Sequence, residues 1–116
     1  WRGKGAEYVV FDERTMPLQA TRISRGMGPM AHLIFSPDGT KMLADSYPDS
    51  FGFQQLGLVD VATGGITRLG HFRHFRGKGY CVDTRCDLHP RWSPDGKTVT
   101  VDSIHDGRRG IYMLEL

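Results

Sequence analysis

One segment occurs twice in this chain, and the repeat limits the folds that the chain can adopt. Residues 32–46 read HLIFSPDGTKMLADS, and residues 89–103 read HPRWSPDGKTVTVDS. The copies are offset by 89 − 32 = 57 positions and share an opening histidine, an aromatic residue, the tetrapeptide Ser-Pro-Asp-Gly and a closing Asp-Ser. Recurrence at a fixed period is typical of stacked supersecondary units. The chain is therefore predicted to be a repeat protein.

Each copy is predicted to form two antiparallel strands joined by a tight turn. Pro presets φ near −65°, Gly accepts a positive φ, and Ser and Asp side chains hydrogen-bond the nearby backbone, so Ser-Pro-Asp-Gly is predicted to be the turn. The flanking runs are rich in β-branched and aromatic residues, which favour strands. The predicted strands are 30–35 and 41–45 in the first copy, and 89–92, 98–102 and 111–116 in the second.

Four antiparallel strands that repeat with tight turns are typical of a β-propeller blade. We interpret 30–69 as a full blade, 7–23 as the outer half of an earlier blade, and 89–116 as a blade that lacks its outer strand. Residues 70–88 are then an inserted loop, which explains why the period exceeds the usual ~40–45 residues. The predicted fold class is all-β: about two and a half four-stranded antiparallel blades, a fragment of a larger, seven-bladed propeller. Because a partial propeller exposes strand edges, the rest of the propeller is an expected partner.

Composition excludes two classes of partner. The formal net charge is only +2, and Lys and Arg are interspersed with acidic residues, so no nucleic acid is expected. No apolar run approaches the roughly 20 residues that span a bilayer, so no membrane is expected either.

The repeat also resembles a known family. Ser-Pro-Asp-Gly-Lys after an aromatic residue, a strand ending in Asp-Ser, a polar loop and the run 111–116 resemble the WD-like repeat of TolB-type propellers. Residues 86–96 are most similar to propeller polysaccharide lyases of the oligogalacturonate lyase and ulvan lyase type. This resemblance implies a secreted or periplasmic enzyme that cleaves uronate-containing glycans by β-elimination, with an acidic polysaccharide or oligosaccharide as partner. The alternative is a non-enzymatic, TolB-like propeller that binds other proteins.

The lyase resemblance implies a bound divalent metal. In oligogalacturonate lyases the corresponding strand begins Gln-x-x-His-x-His, and these side chains hold the metal, whereas this chain has Cys86-x-x-His89-x-Arg91. Thiolate and imidazole suit zinc better than manganese or calcium, so zinc is the expected ion. The predicted ligands are Cys86, His89 and His32, which opens the first copy. The alternatives for the thiol are a disulfide between Cys81 and Cys86, or two plain thiols.

The same resemblance implies a set of catalytic residues. β-Elimination from a uronate requires a cation for the carboxylate, a base and an acid. The planar guanidinium of Arg pairs with a carboxylate through two hydrogen bonds, and His or Tyr can transfer protons. The predicted catalytic residues are His71, His74, Tyr80, Arg85 and Arg91, and the carboxylate clamp has Arg73 and Arg76 as further candidates. The strand topology predicts that one face of the blades carries the metal ligands together with the following residues: His71, His74, Tyr80, His105, Arg108 and Arg109.

Structural interpretations compete with several of these assignments. A repeat-specific hydrogen bond at the start of the strand is the alternative for His32 and His89, and a solvated loop is the alternative for 71–80. The repeated Asp-Ser pairs, 45–46 and 102–103, are interpreted as blade structure.

Overall fold

The computed structural model of the chain describes residues 7–25, 30–74 and 85–116. In these ranges the chain forms strands and no helix, and hence no helix that could cross a bilayer. The strands are β1 (Glu7–Asp12), β2 (Gln19–Arg25), β3 (Met30–Phe35), β4 (Lys41–Ser46), β5 (Phe53–Asp60), β6 (Ile66–Arg73), β7 (Arg91–Trp92), β8 (Thr98–Ser103) and β9 (Gly110–Glu115).

The strands form three antiparallel sheets in which strands consecutive in the chain are neighbours. The sheets are β1-β2, β3-β4-β5-β6 and β7-β8-β9. The middle sheet is a complete four-stranded meander, and it lies between a two-stranded and a three-stranded sheet. The predicted fold class, all-β with repeated antiparallel blades, is confirmed.

Two of the strand boundaries that differ from the sequence prediction affect the position of candidate site residues. β6 continues to Arg73, into the segment interpreted as the inserted loop. β7 begins at Arg91 and not at His89, because His89 has φ 41°, in the left-handed region that ends an extended strand. The strand therefore starts only after Pro90, and His89 lies on the connection that precedes it.

The two Ser-Pro-Asp-Gly segments form the predicted turns. In the first, Ser36 Oγ donates to Asp38 Oδ1 at 2.6 Å, and the Gly39 N–H donates to the Ser36 carbonyl at 2.9 Å. Gly39 has φ 72°, a conformation that favours glycine. The second turn repeats these contacts at the same two distances. Each turn therefore reverses the chain and leads into the second strand of its sheet.

Strand β4 has both of its faces buried, because it packs against a neighbouring sheet on each side. Met42 and Ala44 pack with Tyr8 of β1 on one side. Leu43 belongs to the cluster on the other side, which also contains the following buried residues: Leu56, Leu88, Val99 and Val101. Successive side chains of a strand point to opposite faces, so the near-continuous apolar run of β4 suits a strand between two blades.

We predict that Leu88→Ala destabilises the protein by about 2–5 kcal/mol, the range for a buried leucine replaced by alanine. Leu88 is fully buried and joins the third sheet to the second. Urea unfolding measures the change. Leu18→Ala is the matched control, because Leu18 is 54% exposed and its truncation should cost under about 0.5 kcal/mol. Equal losses in the two variants would contradict the interblade core described here.

The first turn predicts a measurable titration. The Ser36 hydroxyl, followed by the Thr40 amide and hydroxyl, lowers the pKa of Asp38 to about 2. Ser36→Ala should therefore raise this pKa toward the ordinary value of about 3.9. Because the folded-state pKa is lowered, the stabilisation is present above about pH 4 and is lost as the pH falls toward 2. Carboxyl NMR titration checks this, with Asp95 of the second turn as an internal control that should not move.

Candidate functional site

The two repeated histidines meet where the second and third sheets adjoin. His32 lies on β3, and His89 lies immediately before β7. Their ring centroids are 4.1 Å apart, with 39° between the ring planes. Two imidazoles that are 57 residues apart in the sequence are thus in direct contact where neighbouring blades adjoin.

A buried carboxylate holds both histidines. Asp45, near the end of β4, has no exposed side-chain surface. Its Oδ1 accepts the backbone N–H of His32 at 2.6 Å, and its Oδ2 accepts the backbone N–H of His89 at 3.1 Å. The ring Nδ1 of His32 is 3.2 Å from each carboxylate oxygen. Asp45 therefore belongs to the site as well as to the blade framework, whereas its place in the repeat had indicated blade structure alone.

Asp87 is the third potential metal ligand. A possible metal-binding group is formed by three side chains, His32, Asp87 and His89. Each offers one ligand atom, and the three atoms lie within 4.8 Å of one another. It is the one such group among the residues that the structure describes. Tetrahedral ligands about 2.0–2.1 Å from zinc lie about 3.4 Å apart, so the ligand atoms would have to approach one another by up to about 1.4 Å. Two imidazoles and one carboxylate with open coordination positions are a donor set of catalytic zinc sites. The residues present therefore fit a zinc ion.

Cys86 lies outside that group of ligand atoms. Its thiol is free and buried, and its backbone N–H donates to His74 Nε2 at 3.3 Å. Burial raises the pKa of the thiol, and Arg109 beside it offsets this only in part. Since zinc binds the thiolate, a protonated buried thiol is a weaker candidate than Asp87. The other cysteine of the predicted disulfide, Cys81, lies outside the described residues.

Two arginines border the same site. Arg85 forms a two-point ion pair with Asp87, at 2.8 and 2.7 Å, and its guanidinium lies 4.5 Å from the centre of the Tyr47 ring. Asp87 first, and Tyr47 second, raise the pKa of Arg85. Arg109 donates to the Arg85 carbonyl. A cavity of about 310 Å³ is lined by Arg85, Cys86, Asp87, His89, Asp102 and Arg109.

Arg91, by contrast, does not itself line the cavity. Its guanidinium donates to Asp102 Oδ2 at 3.0 Å, and half of its side chain is exposed. Of the two predicted arginines, Arg85 therefore lies on the cavity and Arg91 beside it, bonded to a residue of its wall.

Three residues were predicted to transfer protons: His71, His74 and Tyr80. The two that the structure describes do not line the cavity, and the third lies outside the described residues. His71 stacks on Phe53, with ring centroids 4.5 Å apart, on the edge strand β6. Three strand spacings of about 4.8 Å place β6 roughly 14 Å from β3. His74 is buried and bonded to the Cys86 amide. Tyr80 is outside the described residues.

Tyr47 is a functional candidate that the sequence interpretation missed. It follows β4 directly, and its ring lies edge-on to His32, 6.4 Å between centroids, and beneath Arg85. Asp87 was not among the predicted ligands, because the Cys-x-x-His spacing places the ligand position of the lyase pattern at Cys86. A usable signal was present, since Arg85, Asp87 and His89 alternate along one extended segment.

Comparison with known proteins identifies the fold. The structure is similar to TolB from Acinetobacter baumannii, with a TM-score of 0.61 and 22% identity over 84% of this chain and 21% of that one. It is also similar to the β-propeller domain of the Trilobed protease from Pyrococcus furiosus, with a TM-score of 0.61 and 12% identity over 94% of this chain and 30% of that one. The fold is that of part of a β-propeller. The chain spans between a fifth and a third of the length of these propellers.

No protein-family profile matches the sequence, and no curated protein matches it. Likeness at these identities establishes the fold alone, and the site has to be interpreted from its own residues.

The site geometry predicts which side chains bind zinc. We expect His89→Ala and Asp87→Asn each to weaken zinc binding by at least about tenfold, because each removes one of three ligands. Cys86→Ser should change the affinity by less than about threefold. Isothermal titration calorimetry with zinc alone measures all three. A large loss in the Cys86 variant with none in the Asp87 variant would instead support the ligand set expected from the sequence.

Proposed function

We propose that this propeller binds a divalent metal ion, zinc above manganese or calcium, through His32, Asp87 and His89, and uses the site to cleave uronate-containing glycans by β-elimination. The observation that carries the proposal is the group of two imidazoles and a carboxylate, of which Asp87 and His89 also line a cavity that is bordered by Arg85 and Arg109. The resemblance of residues 86–96 to propeller polysaccharide lyases supports the same reaction.

The arginines suit recognition of an acidic sugar. A metal ion bound at the site would supply a Lewis acid for the uronate carboxylate, which lowers the cost of charge developing beside it. Arg85 and Arg109 present guanidinium groups at the same cavity. Because Asp87 already holds Arg85 at two points, Arg109 is the better placed of the two to pair with a ligand carboxylate.

The elimination also needs two proton transfers. A base removes the proton on the carbon next to the carboxylate, a carbon–carbon double bond forms, the bond to the glycosidic oxygen breaks, and that oxygen takes up a proton. Tyr47 is the proton-transfer residue favoured by position, since it lies between Arg85 and His32 and is partly exposed. Tyr80 remains a prediction from the sequence. His74 is less suited, because its Nε2 already accepts a backbone hydrogen bond.

A glycan polymer is met outside the cytoplasm, so this function implies a secreted or periplasmic protein. The rest of the propeller is part of the proposal, because β9 is the edge of a sheet and its Ile111 and Met113 are 72% and 69% exposed.

A second function is a TolB-like propeller that binds other proteins without catalysis. The observation that favours it is the structural likeness to TolB. In this case the same face would contact a protein, and the histidine pair would serve to join the blades.

An elimination assay separates the two functions. The full-length protein is mixed with pectin-type and ulvan-type polysaccharides, and the ultraviolet absorbance of the unsaturated uronate is followed. We expect product formation that a chelator abolishes and added zinc restores. Tyr47→Phe should lower kcat by about 10²–10⁴-fold, the usual contribution of a general acid or base, with zinc affinity unchanged. A zinc-loaded protein that is inactive on all acidic glycans would overturn the lyase and favour the binding platform.

A further inference from the structure

We propose that Asp45 is the positioning residue of the metal centre: its carboxylate selects the tautomer of His32 and fixes the backbone of His89. The inference rests on the metal site proposed above and adds a residue that is not itself a ligand. Its basis is a single buried carboxylate in contact with both histidines, one from each of two adjoining sheets.

The contacts of Asp45 determine which nitrogen of His32 is protonated. An ionised carboxylate only accepts hydrogen bonds, so the Nδ1 that lies 3.2 Å from both oxygens of Asp45 must carry a proton to bond there. In the neutral ring the lone pair is then on Nε2. Metal-binding histidines commonly donate their second ring N–H to a carboxylate in this way, which fixes the ring and increases its basicity.

The same carboxylate sets the position of His89 through its backbone. The His89 N–H donates to Asp45 Oδ2 at 3.1 Å. His89 has φ 41°, a backbone conformation that is uncommon for residues other than glycine. This hydrogen bond holds the 85–90 connection against β4, in the conformation that places the centroid of the His89 ring 4.1 Å from that of His32. Asp45 therefore orients one ligand through its ring and the other through its main chain.

Replacing the carboxylate by an amide should affect both histidines. Asp45→Asn keeps the size of the side chain, but one of its two oxygens becomes an NH₂ group that cannot accept a hydrogen bond. In either orientation of the amide, one backbone N–H loses its acceptor, and the NH₂ group also lies beside Nδ1 of His32, where it stabilises the tautomer protonated on Nε2, which has no lone pair there for a metal. Both outcomes weaken metal binding without removing a ligand.

The first measurement is the tautomer of His32 in the metal-free, full-length protein, by nitrogen-15 NMR of labelled histidine. We expect the tautomer protonated on Nδ1 in the wild type and a shift toward the one protonated on Nε2 in Asp45→Asn. His32→Gln assigns the signal. A wild-type ring protonated on Nε2 would overturn the inference, and this result needs neither a bound metal nor a folded variant.

The second measurement is the zinc affinity. Asp45→Asn should lower it about 10–100-fold, the usual effect of losing a carboxylate that orients a ligand. In a His32→Ala background the same change should cost less than it does in the wild type, since the ring of His32 is absent and only the hydrogen bond to the His89 backbone remains for Asp45 to act through. Equal losses in both backgrounds would mean that Asp45 acts only by joining the blades, and the inference would fail.

Ser46→Ala provides the structural control. Ser46 is the next residue of β4, it is buried, and its Oγ accepts the Gln55 N–H at 2.9 Å, away from both histidines. Its loss should destabilise the sheet and leave zinc affinity within about threefold. If Ser46→Ala weakened zinc binding as much as Asp45→Asn, general loosening of the blade would explain both variants. A wild-type protein that binds no zinc would refute the proposed function, and the tautomer measurement would still test the role of Asp45.

Discussion

The buried carboxylate of Asp45 is the interaction on which the arrangement of the second and third sheets depends. An ionised carboxylate taken out of water is costly unless hydrogen-bond donors replace its hydration. Here the donors are the backbone N–H groups of His32 and His89, and the ring of His32 is close enough to add a third. Because His89 lies on the connection into the third sheet, separating the two blades would remove one of these donors from the buried charge. The hydrogen bonds that stabilise the buried carboxylate of Asp45 thus also bring the two histidines together.

The apolar core and the polar site are built on the same elements. On β4, Leu43 packs into the interblade cluster and Asp45, two residues later on the same face, meets the histidines. On the 85–90 connection, Leu88 enters that cluster and its neighbours Asp87 and His89 turn to the site. A polar network in a low-dielectric setting is strong when every member is satisfied. The adjacent apolar core supplies the low-dielectric surroundings and fixes the backbone that carries Asp87 and His89.

Oppositely charged side chains alternate along the segment that leads to His89, and they pair with each other. Arg85 and Asp87 pair at two points, and Arg109 fastens the same segment through the Arg85 carbonyl. Cys86 lies between the two paired residues, buried and free. A sequence pattern that counts spacings between cysteine and histidine selects Cys86, whereas the folded segment presents Asp87. The difference is one residue, and it changes the proposed donor set from thiolate and imidazole to carboxylate and imidazole.

The sequence by itself determined the strands, the two turns and the repeated antiparallel organisation, because these depend on local chemistry. Proline and glycine set the backbone of each turn, its serine and aspartate bond within it, and alternation of apolar residues marks strands with a buried face. The pairing of His32 with His89 was anticipated only as a shared face. Their contact, the place of Asp87 beside them and the role of Asp45 were decided by tertiary structure. They follow from the positive φ of His89 and from hydrogen bonds between residues 44 positions apart, which no local pattern encodes.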